Sequence, residues 1–221
     1  MEALNSGGGA TTVILADDHA IVRMGFRLLL ETAGKCRVIG EAESGEEACA
    51  LYFKLEPDVL VMDIAMPGMG GLEAMSRIRA RDPNARILVL SAHENTSYPR
   101  RAMQAGALGY LSKRGAPAEL LQAVHAVAQG LTYLEPGIAQ KLALQGAKGV
   151  AGPVDVLSER EFEVFVHLAE GRSVVQIAEL LSLSPRTVGT HLYNIKQKLG
   201  AQNAAELTLI ALRAGLLSEG L

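Results

Sequence analysis

A chain of 221 residues with formal net charge −3, of which 49% are hydrophobic and 20% charged, has ordinary globular composition and room for two domains at roughly 100–200 residues each. Slight acidity excludes a general polyanion binder but permits a local basic face, and no apolar run approaches the ~18 residues of a membrane span. Two cysteines, Cys36 and Cys49, are too few for a disulfide framework and lack metal-ligand spacing. The opening MEALNSGGGA lacks the basic start and apolar centre of a signal peptide, so residues 1–11 read as a flexible tail and the protein as cytoplasmic, with no membrane partner.

Residues 12–130 alternate strand-like and helix-like stretches. VILA, CRVIG, VLVM, ILVL and LGYL are the strand candidates. AIVRMGFRLLLETA, SGEEACALYFKL, GLEAMSRIRAR, SYPRRAMQAG and APAELLQAVHAVAQG follow them with helical spacing. This pattern predicts an α/β fold, a doubly wound five-stranded parallel sheet of the flavodoxin-like kind. Residues 131–156 gather Pro136, Gly137, Gly146, Gly149, Gly152 and Pro153 and read as an interdomain linker with one weak helix around GIAQKLALQ.

From Leu157 to residue 221 the chain predicts a small all-α domain. Ser158 with Glu161 forms a capping box, flanked by Leu157 and Phe162 at staple positions, and Gly171 ends the helix. Ser173 with Gln176 opens a second helix, Ser184 with Pro185 a third, and Asn203 with Glu206 a fourth. The middle two, joined by the tight turn SLS, fit a helix-turn-helix module.

A sheet ordered 2-1-3-4-5 brings Asp17 and Asp18, after the first strand, beside Asp63, which closes DVLVMD. Three carboxylates at one edge need a cation or a proton. Magnesium suits them, since it takes oxygen ligands and keeps several waters. Ser91 and Lys113 follow the fourth and fifth strands on that edge and supply the hydroxyl and cation that a phosphoryl group needs, with Asp63 as nucleophile. His19 reads as a surface or capping residue, and Gly68, Gly70 and Gly71 as turn residues, because no Lys-Ser/Thr follows them.

These motifs, with MDIAMPGMGG, Ser91-Ala92 and GALGYLSK, resemble the receiver domain of two-component response regulators. The whole chain resembles their LuxR-type (NarL/FixJ) subgroup. The resemblance implies that Asp63 accepts phosphate from a sensor histidine kinase. It also implies that Asp17, Asp18, Asp63 and the Ala65 carbonyl surround magnesium, Asp17 directly or through water. Ser91, Ala92, Tyr110 and Lys113 become phosphate-contacting and switch residues, with Ser91 and Tyr110 re-packing on phosphorylation. One departure is Arg114, where many receivers carry proline after the lysine.

Projected as a helix, residues 184–199 put Val188, Leu192, Ile195 and Leu199 on a core stripe and Arg186, Gly189, Thr190, Tyr193 and Gln197 opposite. With Arg186, Lys196 and Lys198 and no acid, this segment suits the major groove of double-stranded DNA. The candidate DNA contacts are Arg186, Thr187, Gly189, Thr190, His191, Tyr193, Asn194 and Lys196. Family members commonly have lysine at Gly189 and often at Tyr193, which points to a different target sequence. Val174 and Val175 replace usually polar residues.

The reading is therefore a phosphorylation-switched transcription regulator that dimerises on paired half-sites, with RNA polymerase a further candidate partner, and not an enzyme. Two alternatives compete. One is a phosphorylation-independent DNA-binding regulator. The other is a haloacid-dehalogenase-like phosphatase, which places an acid/base aspartate two residues after its nucleophile, where this chain has Ala65.

Overall fold

The computed structural model describes residues 9–92, 96–115, 117–146 and 152–217, so most of the expected N-terminal tail and part of the linker, including Gly149, lie outside the described residues. A parallel sheet is built from β1 (Thr11–Ala16), β2 (Cys36–Ala42), β3 (Val59–Asp63), β4 (Ile87–Ser91), β5 (Gly109–Ser112) and β6 (Tyr133–Leu134). Its order is β2-β1-β3-β4-β5-β6. Around it lie α1 (Ala20–Thr32), α2 (Gly45–Leu55), α3 (Gly71–Arg81), α4 (Ser97–Gln104) and α5 (Pro117–Ala128).

Alternation along each strand explains why the sheet is covered on both faces. Val59 and Val61 of β3 pack with Leu30 of α1 and Leu120, Val124 and Val127 of α5. Leu60 and Met62 point to the other face, toward Leu72 and Met75 of α3 and Ala102 of α4. Every residue of β3 and β4 is buried, as a central strand in such a sandwich requires.

The sequence predicts five strands, and the structure has six. Tyr133 and Leu134 are too short a run to carry a period, and they become a strand only because β5 offers its open edge, pairing Gly109 with Tyr133 and Tyr110 with Leu134. Within residues 131–156 the chain also forms α6 (Pro136–Gly146), whose Ile138 is buried.

The C-terminal helices are α7 (Glu159–Ala169), α8 (Val174–Leu180), α9 (Pro185–Leu199) and α10 (Ala204–Arg213). Both capping boxes close as their sequences require: Ser158 with Glu161, and Ser173 with Gln176. Ser184 caps α9, whose first residue Pro185 gives up no needed N–H, and Asn203 caps α10. Gly171 stands at φ +83°, the left-handed turn that ends α7, and Ser182 takes φ +51° in the tight turn before α9. No described helix is long and apolar enough to cross a membrane.

The core on the α2–α4 face continues unbroken into the C-terminal helices through Val154, Leu157, Phe162 and Phe165. Tyr98 of α4 meets the Phe162 ring edge-on at 5.1 Å between centroids. Arg101, also on α4, stacks 4.0 Å over the same ring and donates to the carbonyls of Leu157 (3.0 Å) and Val154. A buried guanidinium is tolerable there because both terminal nitrogens find carbonyls and its face finds a ring, although Nε has no partner.

Candidate functional site

The register of the sheet assembles an acidic edge. Ala16 pairs with Met62, so Asp17 emerges next to Asp63. Asp63 pairs with Leu90, and Ser91 with Ser112, so Ser91 and Lys113 emerge on the other side. Lys113 Nζ lies 2.5 Å from Asp17 Oδ2 and 2.7 Å from Asp63 Oδ2. Both aspartates are only 4% exposed, so this ammonium is the counter-charge that makes their burial tolerable. Burial by itself would lower the Lys113 pKa, but Asp63 and Asp17 more than offset it and hold the amine protonated. Asp63 is pushed above the ordinary carboxylate range by burial, with Lys113 opposing and Asp17 adding to the rise.

Asp63 Oδ2 is held by Lys113, whereas its buried Oδ1 has no hydrogen-bond partner. An orphaned carboxylate oxygen at this depth is costly unless something else completes it. Asp17 Oδ1 accepts the His19 N–H at 2.9 Å, and His19 Nδ1 stands 2.7 Å from Asp18 Oδ1. These three side chains are the only group among the described residues close enough to share a cation. Carboxylate oxygens at a partly open edge suit a hard divalent cation that takes few protein ligands and keeps its waters. His19 occupies the N-cap position of α1, though its side chain makes no cap bond.

Ser91 and Tyr110 are both fully buried, and Tyr110 belongs to the core on the α2–α4 face, while Ala92 and Ala65 are exposed. After Lys113 the chain turns back: Gly115 N–H bonds the Ser112 carbonyl and Arg114 N–H bonds Ser112 Oγ at 3.2 Å. Proline at Arg114 would lack that second donor, so this lysine loop is closed by a bond that proline-bearing loops cannot form.

Sequence reasoning missed Arg23. This buried arginine donates to the Asp17 carbonyl at 2.6 Å and is gripped by Glu41 (3.1 Å) and Glu43 (2.5 Å) at the end of β2, which fixes the turn that presents Asp17 and Asp18. Its only sequence signal was a cation on the helix following the acidic pair. Arg160 of α7 was missed as well, since its partners lie far off in sequence. It donates to the Gly68 carbonyl and the Leu181 carbonyl, both at 2.8 Å, and pairs with Glu163 at 2.7 Å. A cleft of roughly 290 Å³ separates these elements from the Asp63 edge, bordered by Asp18, Ala65, Tyr98, Glu163 and Leu181.

On α9, Val188 and Ile195 are fully buried and Leu192 and Leu199 half-buried, so the helix turns the opposite stripe outward. Arg186, Thr190, Tyr193 and Gln197 are exposed, Tyr193 to 64%; Thr187, Gly189, His191, Asn194 and Lys196 are intermediate. Nothing lies within 4 Å of where a Cβ on Gly189 would stand, which leaves a bare patch of backbone beside Tyr193. Lys196 Nζ caps the Gln202 carbonyl at 3.1 Å, and Lys198 pairs with Glu161 at 2.6 Å, so neither lysine is loose. Val174 packs partly against the core, whereas Val175 is 56% exposed.

Residues 13–125 match the response regulator receiver domain, and residues 155–211 match the bacterial regulatory proteins of the luxR family. Over 206 residues the chain is 39% identical to the response regulator GacA of Pseudomonas aeruginosa, covering 92% of this chain and 96% of that protein. It is 40% identical to the response regulator UvrY of Escherichia coli K12, covering 92% and 94%. Among solved structures, a LuxR-family two-component response regulator from Aurantimonas is 41% identical with a TM-score of 0.61, covering 63% of this chain and 99% of its own. RcsB of Salmonella enterica serovar Typhimurium, bound to a promoter in the presence of the phosphomimetic BeF3−, is 30% identical with a TM-score of 0.66, covering 91% and 98%.

Proposed function

Since the chain belongs to the LuxR family of two-component response regulators, carrying a receiver domain and a LuxR-type DNA-binding domain, we propose that Asp63 is the residue whose phosphorylation by a sensor histidine kinase switches its sequence-specific binding to DNA. The domains run over residues 12–130 and 157–221, joined by 131–156, and the protein works in the cytoplasm, where kinase and promoter meet.

The observation that carries this reading is the state of Asp63: buried, held at Oδ2 by Lys113, and with Oδ1 making no close hydrogen bond. In the transfer a carboxylate oxygen attacks phosphorus, the phosphorus–nitrogen bond of the donor phosphohistidine breaks, and imidazole leaves with the electron pair. Lys113 already touches the attacking group and keeps its charge for the oxygens of the incoming phosphoryl. Asp17, Asp18, Asp63 and the Ala65 carbonyl would hold magnesium, which neutralises charge on the phosphoryl oxygens when bound. Ala65, two residues after the nucleophile, offers no acid or base, which favours storage of the acyl phosphate over turnover.

An acyl phosphate brings roughly −1.5 to −2 charge, judged from phosphate esters. Ser91 and Ala92 receive it, and re-packing of Ser91 and Tyr110 biases an equilibrium between two arrangements of the sheet edge. A homodimer then presents two α9 helices to half-sites about one DNA turn apart. Arg186, Thr187, Asn194 and Lys196 position the helix on phosphates, and Gly189, Thr190, His191 and Tyr193 meet base edges. RcsB bound to a promoter in the presence of BeF3− supports DNA as the partner of the phosphorylated state. RNA polymerase is a further partner on this reading.

Acetyl phosphate with magnesium tests the assignment. Intact protein should gain one phosphoryl group by mass spectrometry and Asp63→Asn should gain none; equal incorporation in both would move the acceptor elsewhere.

A further inference from the structure

Glu163 is a carboxylate that the structure leaves half satisfied. It sits on the face of α7 turned toward the loop that runs from Asp63 to α3. Its Oε2 takes a hydrogen bond from Arg160 at 2.7 Å, but its Oε1 is buried with no partner and packs against Gly70. A methyl group on Gly70 would overlap that oxygen. Yet Gly70 has φ −67° and ψ 164°, a conformation open to any residue, so its backbone does not call for glycine. What calls for glycine is the carboxyl group that the C-terminal helices lay against it.

We propose that this seat is a latch: a neutral Glu163 carboxyl favours docking of the C-terminal helices on the phosphoacceptor loop, and an ionised one favours their release. The seat lies on the loop whose first residues border the Asp63 edge, and Arg160 ties the same loop, at the Gly68 carbonyl, to the end of α8. An ionised oxygen without a donor costs far more at this depth than a protonated one, and undocking returns it to water. Arg160 keeps two carbonyl acceptors when the carboxyl is neutral.

The surroundings tilt the same way. Burial pushes Glu163 up to about 7, with Glu73 of α3 and Glu159 of α7 adding and Arg160 opposing. Asp18, His167, Glu170 and Arg172 border the same cleft, and His191 of α9 is held below its ordinary range by burial, with Arg160 adding and Glu161 and Glu73 opposing. The sign follows from linkage. A carboxyl whose docked pKa is raised from 4.5 to about 7 contributes all its docking stability below 4.5, loses it as pH rises, and contributes none above about 7. Between those limits the docking equilibrium should weaken about tenfold per pH unit. The reading face of α9 stays exposed in the docked state, so what the latch controls is the placement of the helices, not uncovering of Tyr193.

The test uses the full unphosphorylated chain without DNA, so it stands or falls apart from phosphorylation. Small-angle scattering should give a compact particle near about pH 5.5 and a more extended one near about pH 8, with α7 and residues 66–71 losing hydrogen-exchange protection together. Glu163→Gln, neutral at every pH, should stay compact throughout. A wild-type profile that ignores pH overturns the proposal, as does Glu163→Gln following the wild-type curve. If Glu163→Gln does not fold, Glu163→Ala decides: a variant that still extends as pH rises, as wild type does, overturns the latch.

Discussion

Replacing Lys113 by methionine keeps the reach of the side chain and removes the ammonium that touches Asp17 at 2.5 Å and Asp63 at 2.7 Å. At an effective dielectric of about 20 a contact of that length represents up to about 6 kcal/mol of attraction before desolvation is subtracted. Breaking a buried pair by removing one partner costs about 3–5 kcal/mol, because the other charge stays behind. Two carboxylates, each 4% exposed, stay behind here. Lys113→Met should therefore lose about 3–5 kcal/mol near about pH 8 without divalent ions. Without the lysine, Asp63 loses the charge that opposes its burial, and its carboxyl stands further above the ordinary range in the folded protein. It then contributes stability only while protonated, so the deficit should shrink as pH falls toward about 5 and grow as it rises. Millimolar magnesium should restore more stability to the variant than to wild type, since the oxygens freed by the lysine are the ones it would take. Urea denaturation followed by circular dichroism, across pH and with and without magnesium, measures all three. A loss below about 1 kcal/mol near pH 8, or a deficit indifferent to pH, would refute the reasoning.

Phe162→Ala removes a fully buried ring that carries Tyr98 on its edge and Arg101 on its face, and should cost about 3–5 kcal/mol in equilibrium unfolding of the C-terminal helices. Gly71→Ala would drive a methyl into the Asp63 carbonyl, so it should destabilise the β3–α3 loop by more than about 1 kcal/mol and weaken magnesium binding in titration calorimetry. If Arg186 contacts a phosphate, Arg186→Ala should weaken binding to all DNA sequences alike and reduce the slope of log affinity against log salt by about 1. Tyr193→Ala should instead alter which sequences a binding selection recovers.

The pocket was legible because each of its parts is announced locally. VLVM and ILVL can only be buried strands, and a strand's last residue is delivered to the sheet edge whatever the rest of the chain does. The capping boxes at Ser158 and Ser173 were legible for the same reason, their partners being three residues away. Illegible were the groups whose partners lie far off. Arg101 reads in sequence as one more solvated cation of SYPRRAMQ and becomes a buried stack only because Phe162 arrives from another domain. Arg160 and Glu163 stand only three residues apart on α7, but their decisive neighbours, Gly68 and Gly70, lie some ninety residues away. The strand Tyr133–Leu134 was hidden because an edge supplies its pairing, not its own pattern.

Affinity for promoter DNA, measured with and without phosphorylation at Asp63, tests the central claim most directly. The protein treated with acetyl phosphate and magnesium should bind its selected sequence tighter and as a dimer, and Asp63→Asn under the same treatment should bind like the untreated protein. Equal affinity in all three samples would contradict the account and leave a DNA-binding protein whose acidic edge has no say in its output.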